Sequence, residues 1–236
     1  MKKKMAVCIS GHLRHPRKGY EAFKRCLIDP NPDWEFDFYI STWDVQDWRR
    51  GNEKLRDFSE IYELFDPKVL HVEKERAWDT SKFQKYIKPG DVKKGTKGEH
   101  ILAMFYKINA AWDLISCSGK RDYNLFMRWR TDIDLCEVID LNAVRDIALP
   151  HPKQHISQRS IFVSKNRTNK KEWASDVFAI GEYQGMLRYS QFYKAQLSDT
   201  IHEIQVFRPE VLMNSLLDSM TVNIVEFSGD WKVIYE

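Results

Sequence analysis

Two aspartates stand one residue apart in the stretch YNLFMRWRTDIDL, residues 123–135, and two arginines precede them at the same spacing: Arg128, Arg130, Asp132 and Asp134. Along an extended chain, alternate side chains share one face. The spacing therefore predicts two guanidiniums and two carboxylates in one row. Carboxylates set apart in this way can give oxygens to one hard cation, Mn²⁺ or Mg²⁺, directly or through water, while phosphates complete its shell. Guanidiniums pair with phosphate bidentately, so Arg128 and Arg130 either face such an anion or hold the aspartates in place. A solvated strand face or a structural Arg–Asp pair needs no ligand, and an isolated Asp-x-Asp does not separate these readings. The apolar run before it favours the first, because it puts the row at the carboxyl end of a strand, where open α/β sheets bind ligands.

Two further stretches can supply chemistry. In ISGHLR, Gly11 lets the backbone approach a ligand closely, and Ser10 and Arg14 can reach a nucleotide or its phosphates. A tight turn carrying a surface arginine is the plain alternative. Neither GxGxxG nor GxxxxGK[ST] occurs, so neither a dinucleotide fold nor a P-loop is supported. In ASDVFAIG, Asp176 opens an apolar strand. A carboxylate there can take the proton of an attacking hydroxyl, although turn chemistry also places aspartate at strand starts. The pairs His12/His15 and His151/His155 have metal-like spacing, but Pro16 and Pro152 interrupt them. His151 joins a metal site only if the fold carries it to the aspartates.

The elements that must position these groups can be read from periodicity. MAVCIS, WEFDFYIST, PKVLHVE, residues 123–131, SIFVS, DVFAIGE, TVNIVEF and WKVIY read as strands. YEAFKRCLI reads as a short helix, residues 45–66 as charged and helix-prone, and residues 79–98 as loop. From Glu99, the residues Ile101, Met104, Phe105, Ile108, Trp112 and Ile115 recur at helical spacing until Ser118-Gly119 ends the run. A short helix follows residue 136, a longer one spans YQGMLRYSQFYKAQL, and another opens at Pro209. Strands alternating with helices predict an α/β fold, a mostly parallel sheet flanked by helices, antiparallel at an edge where the late strands crowd.

Bulk composition narrows the class. With 236 residues, 43% hydrophobic and 30% charged, the chain has the make-up of one globular domain. A net charge of +3 is too small to argue for nucleic acid, and the runs KKK, KKGTK and KNRTNKK lack interleaved aromatics. Aromatics at 13% exceed what a minimal core needs and suit sugar or base stacking as well as packing. The four cysteines form no CxxC pair; Cys8 and Cys136 fall in apolar runs, which favours a reducing compartment. The apolar run of the amino terminus stops at Ser10-Gly11, short of a signal peptide, and no stretch is long enough for a membrane span. The expectation is a cytoplasmic protein without stable membrane insertion and without a nucleic-acid partner.

Taken in order, AVCISGHLR, FDFYISTWD, FMRWRTDIDL and SDVFAIG resemble a group of uncharacterised glycosyltransferases of the GT-A fold, found in bacterial surface-polysaccharide clusters and in large DNA viruses and phages. The likeness runs from about residue 5 to about residue 190; His12 stands where the family more often has glutamine. It implies one GT-A-like domain over residues 1–236, with a nucleotide-sugar-binding half (1–135) and an acceptor-side half (136–236). It implies that Ser10, Gly11 and Arg14, with Thr42, Trp43 and Asp44, line the donor pocket, and that Tyr106 and Lys107 face the nucleotide or its diphosphate. Asp132 and Asp134 would hold Mn²⁺ or Mg²⁺, and Asp176 would be the catalytic base toward a glycan or glycoconjugate acceptor. The competing expectations are a sugar nucleotidyltransferase, of whose glycine-rich basic signature SGHLRHPRKG is a faint version, and a non-catalytic nucleotide-sugar or glycan-binding module.

Overall fold

A computed structural model of the chain describes residues 2–45, 57–81, 98–119, 122–148, 159–164, 176–196, 212–213, 222–227 and 231–234. The unbroken apolar run near the amino terminus forms β1 (Lys3–Ser10), whose residues from Met5 onward are all buried. That is the pattern of a strand covered on both faces rather than one. It pairs in parallel with β2 (Trp34–Trp43) on one side and β4 (Leu125–Trp129) on the other, and β3 (Val69–Glu73) continues the parallel block beyond β2. Ser10 lies opposite Ser41 and Ile9 opposite Trp129, so the carboxyl ends of β1, β2 and β4 finish level.

Among the described residues the sheet has seven strands in the order β3-β2-β1-β4-β7-β6-β8. β7 (Ala179–Gly181) runs antiparallel to both β4 and β6 (Arg159–Ser164), whereas β8 (Val222–Phe227) is parallel to β6. The molecule is thus α/β with a mostly parallel sheet, but its antiparallel strand lies inside the sheet and not at the edge expected from the sequence. This matters for the site, because β7 brings the segment beginning at Asp176 alongside β4.

Alternation along the strands sorts side chains to two cores. Met5, Val7, Ile9, Phe38, Met127 and Trp129 pack with Phe23 of α1 (Pro16–Phe23) and Phe65 of α2 (Ser59–Phe65). Val144 of a later helix, α4 (Leu141–Ala148), joins this core. Ala6, Cys8, Tyr39 and Phe126 face the opposite way, against Phe105 and Trp112 of the long helix α3 (Gly98–Cys117), Tyr189 of α5 (Tyr183–Ser190) and Phe192 of α6 (Phe192–Gln196). By the same alternation Ser10 and Arg128 belong to the α3 side. Pro16 starts α1 one turn earlier than its apolar pattern suggests, since a prolyl ring presets helical φ at a first position that needs no N–H bond. The chain continues past Phe23 as a π-helical turn, Lys24–Ile28.

The long helix ends as expected, with Gly119 at φ 68°. The single helix expected from Tyr183 is two, parted at Gln191, and of the helix expected after Pro209 only Leu212 and Met213 are described. All four cysteines are free; Cys8 is buried and its thiol, which donates to the Ala111 carbonyl, is pushed up by burial to about 12. Cys136 is exposed, not the small core residue its apolar surroundings suggest, because the strand before it stops at Leu135. Among the described residues no helix is long and apolar enough to cross a membrane.

One close approach fixes the turn that carries the aspartates. A Cβ added to Gly19 of α1 would lie 1.9 Å from the Thr131 backbone oxygen, so α1 sits directly on the chain as it leaves β4. Helix propensity alone favours Gly19→Ala by about 1 kcal/mol. A clash with backbone cannot be relieved by a rotamer, and overpacking typically costs about 1–3 kcal/mol. Gly19→Ala should therefore lower the unfolding free energy by up to about 2 kcal/mol in urea titrations; a higher midpoint would show that α1 and the turn are not in contact.

Candidate functional site

The predicted row of four charges is broken by the fold. β4 stops at Trp129, Thr131 and Asp132 form a turn, and Ile133–Leu135 starts a separate strand, β5, which pairs antiparallel with β9 (Trp231–Val233). Asp134 points away from its buried neighbours Ile133 and Leu135 and accepts from Arg25 Nη2 at 2.7 Å, in a pair whose side chains are 41% and 58% exposed. It is a surface ion pair, and such pairs contribute little to stability. Asp132 goes elsewhere. The two acids do not converge on one point, which corrects the expectation that they share a face.

Around Asp132 the structure gathers arginines. Arg130 grips it bidentately, Nε to Oδ1 at 2.9 Å and Nη2 to Oδ2 at 2.6 Å, and Arg14 Nη1 lies 3.4 Å from Oδ2. Arg130 Nη1 is also 3.8 Å from Asp176 Oδ2, so β7's leading segment joins the same group. Arg128 lies beneath, 2% exposed, with Nη1 donating to the Val177 carbonyl at 2.8 Å and Nε lacking an acceptor. Burial alone would raise the Asp132 carboxyl, but Arg130, then Arg14 and Arg128, outweigh it and hold the group below the ordinary aspartate range. For Arg128 burial dominates and pulls its pKa down, although a guanidinium remains charged in proteins. A buried charge costs several kcal/mol unless paired, and here Arg14 and Arg130 both reach Asp132 while Arg130 also faces Asp176.

The neighbouring strand end adds polar groups on the same side. Ser10 stands level with Arg130, is 6% exposed, and its hydroxyl has no partner among the described residues. Gly11 follows with φ 97°, a conformation only glycine takes without strain, and a Cβ there would meet nothing within 4 Å. Its N–H bonds to the Ser41 carbonyl at 3.1 Å, which turns the chain over the sheet edge and leaves open space before it.

A second cluster occupies the ends of β2 and β3. Lys107 of α3 is fully buried, and its ammonium donates to the Thr42 carbonyl at 2.7 Å, Glu73 Oε2 at 2.6 Å and the Ser41 hydroxyl at 3.3 Å. All three protons are used. It also lies 4.0 Å over the Trp43 ring. Lys107 is thus turned inward, not toward an incoming diphosphate. Tyr106 donates to Glu73 Oε1 at 2.7 Å, and burial followed by Glu73 pushes its phenol up to about 12. Its ring stacks on Trp43, with Trp78 and Tyr193 closing the group and the Arg76 guanidinium lying 4.5 Å from Trp78 and 4.8 Å from Tyr106.

Thr42 is fully buried and takes the opposite face of β2; Asp44 accepts from the Glu75 N–H at 2.9 Å and donates its own N–H to the Glu73 carbonyl. These two brace the strand ends rather than line the space before Gly11. Glu73, Arg76, Trp78 and Tyr193 were missed by motif reading. Glu73 had a signal, since it closes a strand predicted to end at the same sheet edge as Ser10 and Asp132. His151 lies outside the described residues.

Among the described residues no group of three or more His, Cys, Asp or Glu is arranged to hold a metal ion. The donor chemistry points the same way. Both oxygens of Asp132 are held by Arg130, and Asp134 is on Arg25. These residues do not fit the expected Mn²⁺ or Mg²⁺. Fold and site together define an α/β protein with an arginine–aspartate cluster at the carboxyl ends of β1 and β4. No protein-family model matches the chain, and no curated protein matches it.

The Lys107–Glu73 pair can be tested by pH. Burial raises the Glu73 carboxyl, and hydrogen bonds from Lys107 and Tyr106 outweigh it and hold it below the ordinary glutamate value. Its contribution is therefore complete above that ordinary value and is lost as pH falls through the lowered one. Glu73→Gln strands a buried ammonium and should cost about 3 kcal/mol near neutrality, the low end for a broken buried pair because Glu73 is partly exposed. The gap between wild type and variant should close on acidification in denaturant titrations; a constant gap would deny the pair its charge.

Proposed function

We propose that the chain is a glycosyltransferase of the GT-A type, moving a sugar from a nucleotide-sugar donor to a hydroxyl of a glycan or glycoconjugate acceptor. The observation that carries this reading is the convergence of Arg14, Arg128 and Arg130 with Asp176 at the level ends of β1 and β4. The order of the sequence blocks AVCISGHLR, FDFYISTWD, FMRWRTDIDL and SDVFAIG supports it independently.

The chemistry follows from charge. Cleavage of the sugar–phosphate bond releases a nucleoside diphosphate, and guanidiniums fixed in a partly dry cleft stabilise the negative charge as it grows. Ser10 and the open space at Gly11 suit a phosphate or ribose held close to the backbone. The ring group of Trp43, Trp78 and Tyr106 packs on itself and walls the neighbouring strand end. Asp176 is 15% exposed and stands beside Arg130, where it can accept the acceptor hydroxyl's proton as the sugar carbon is attacked. Attack from the face opposite the departing diphosphate would invert the anomeric centre. No step is assigned to a metal ion, because the donor set does not fit one.

Incubation with a panel of nucleotide sugars, read by released diphosphate, should find a donor. Asp176→Asn should keep diphosphate binding while transfer falls by about 10²–10⁴-fold, the usual worth of a general base. Transfer at the wild-type rate in that variant would remove Asp176 from the chemistry.

A further inference from the structure

The geometry points to a reversible disulfide between Cys26 and Cys136, formed within the folded chain by a peroxide. Its chemistry is independent of sugar transfer. Both thiols are free; Cys26 is 2% exposed, and Cys136 lies open to solvent. Far apart in sequence, they are brought together because residues 135–141 lie along the π-helical turn that follows α1. The Cys26 thiol donates to the Leu135 carbonyl at 3.1 Å, and the Cys26 carbonyl accepts from the Ile139 N–H at 3.0 Å. Arg25 Nη2 reaches the same Leu135 carbonyl at 2.9 Å. Asn31 donates to the Ile139 carbonyl at 2.8 Å and accepts from the Leu141 N–H at 2.9 Å. Cys136 is therefore held between two residues that both bond to Cys26.

Standard geometry bounds the separation. A planar trans peptide sets a carbonyl oxygen about 2.8 Å from the next Cα. Added to the 3.1 Å thiol bond, this puts Cys26 Sγ within about 5.9 Å of the Cys136 Cα. In a disulfide the same separation is about 4 Å, so the exposed side chain needs only to turn toward its neighbour. Electrostatics agree: burial pushes the Cys26 thiol up, Arg25 opposes this, and Cys136 is close enough to add to the rise. Exposure then divides the roles. Cys136 meets the oxidant first; its thiolate attacks one peroxide oxygen, the O–O bond breaks, and a sulfenic acid and one water result. The Cys26 sulfur attacks the Cys136 sulfur, the S–O bond breaks, and a second water leaves. Two thiols have given two electrons and two protons to the peroxide, which ends as water. A thiol reductant reverses the bond by exchange.

Treating the full folded chain with hydrogen peroxide, then alkylating, denaturing and mapping its peptides, tests this. Cys26 and Cys136 should disappear together, appear as one intramolecular cross-link, and return with dithiothreitol. Cys117→Ser should leave the cross-link unchanged, although Cys117 is the other exposed thiol. Cys136→Ser should slow the loss of Cys26 by about tenfold or more, because the buried thiol loses its route to the oxidant. In Cys26→Ala, Cys136 should instead persist as a sulfenic acid that dimedone captures. If that variant does not fold, the wild-type map and Cys136→Ser decide. The oxidised chain should melt no lower than the reduced one, since the bond joins segments already in contact and closes a long loop. Any map without a Cys26–Cys136 cross-link overturns the pair, whichever thiols are lost. So does an oxidised form that melts lower, for then the bond forms only by pulling the two segments out of place.

Discussion

The site depends on a guanidinium placed where water is scarce. Arg128 sits inside the sheet layer between β1 and β7 with one carbonyl for a partner, and its charge has to be balanced by groups that reach it from other elements. Asp132 and Asp176 supply that balance, and Arg130 ties both to the strand end. Because these groups lie within one largely buried cluster, removing one leaves its partners without compensation. The geometry of β7 is what makes this possible. An antiparallel strand inserted next to β4 delivers its entry segment, Asp176 and Val177, to the end of β4 where Arg128 and Arg130 emerge.

Most of the architecture could be read in the sequence, because local pattern determined it. The unbroken apolar run of β1, the three- and four-residue spacing of α3 and the glycine at its end each record a local physical demand: burial on two faces, burial on one stripe, or a positive φ. The place of β7 was not legible in the same way. Three residues of strand carry no mark of direction, and pairing with β4 across a separation of about fifty residues is decided by the whole packing, not by the segment itself. The break at Gln191 and the early start of α1 are smaller instances, the second set by one proline.

The charged row shows where motif reading loses its footing. Spacing of two places side chains on one face only while the chain stays extended, and here it stays extended only to Trp129. The cause of the turn lies far away in sequence: α1 packs on the Thr131 carbonyl through Gly19, and Arg25 draws Asp134 to its own side. Lys107 illustrates the same limit. Its position on α3 was right for a strand-end cleft, but Glu73, thirty-four residues earlier, captured the ammonium. Asp176 and Arg14, by contrast, both reach Arg130 or its partner Asp132, because the segments that follow β1 and precede β7 meet at the end of β4.

The two clusters at that edge divide the mechanical and the electrostatic work. Lys107, Glu73 and Tyr106 form a closed set in which each ammonium proton and both carboxylate oxygens are used, and the aromatic rings of Trp43 and Trp78 cover it. Such a set is a wall: it gains nothing from a ligand and resists displacement by one. The arginine cluster is its opposite, with the Ser10 hydroxyl and Arg128 Nε lacking acceptors among the described residues. A protein that needed only a stable sheet end could have closed both sets alike. Leaving donors unmet in one of them, next to a glycine with open space before it, makes that place on the edge the one where an added acceptor would be stabilised. Because the first cluster is rigid, that place is held in position by the fold before a ligand arrives, which is the condition for an electrostatic site to act without reorganisation.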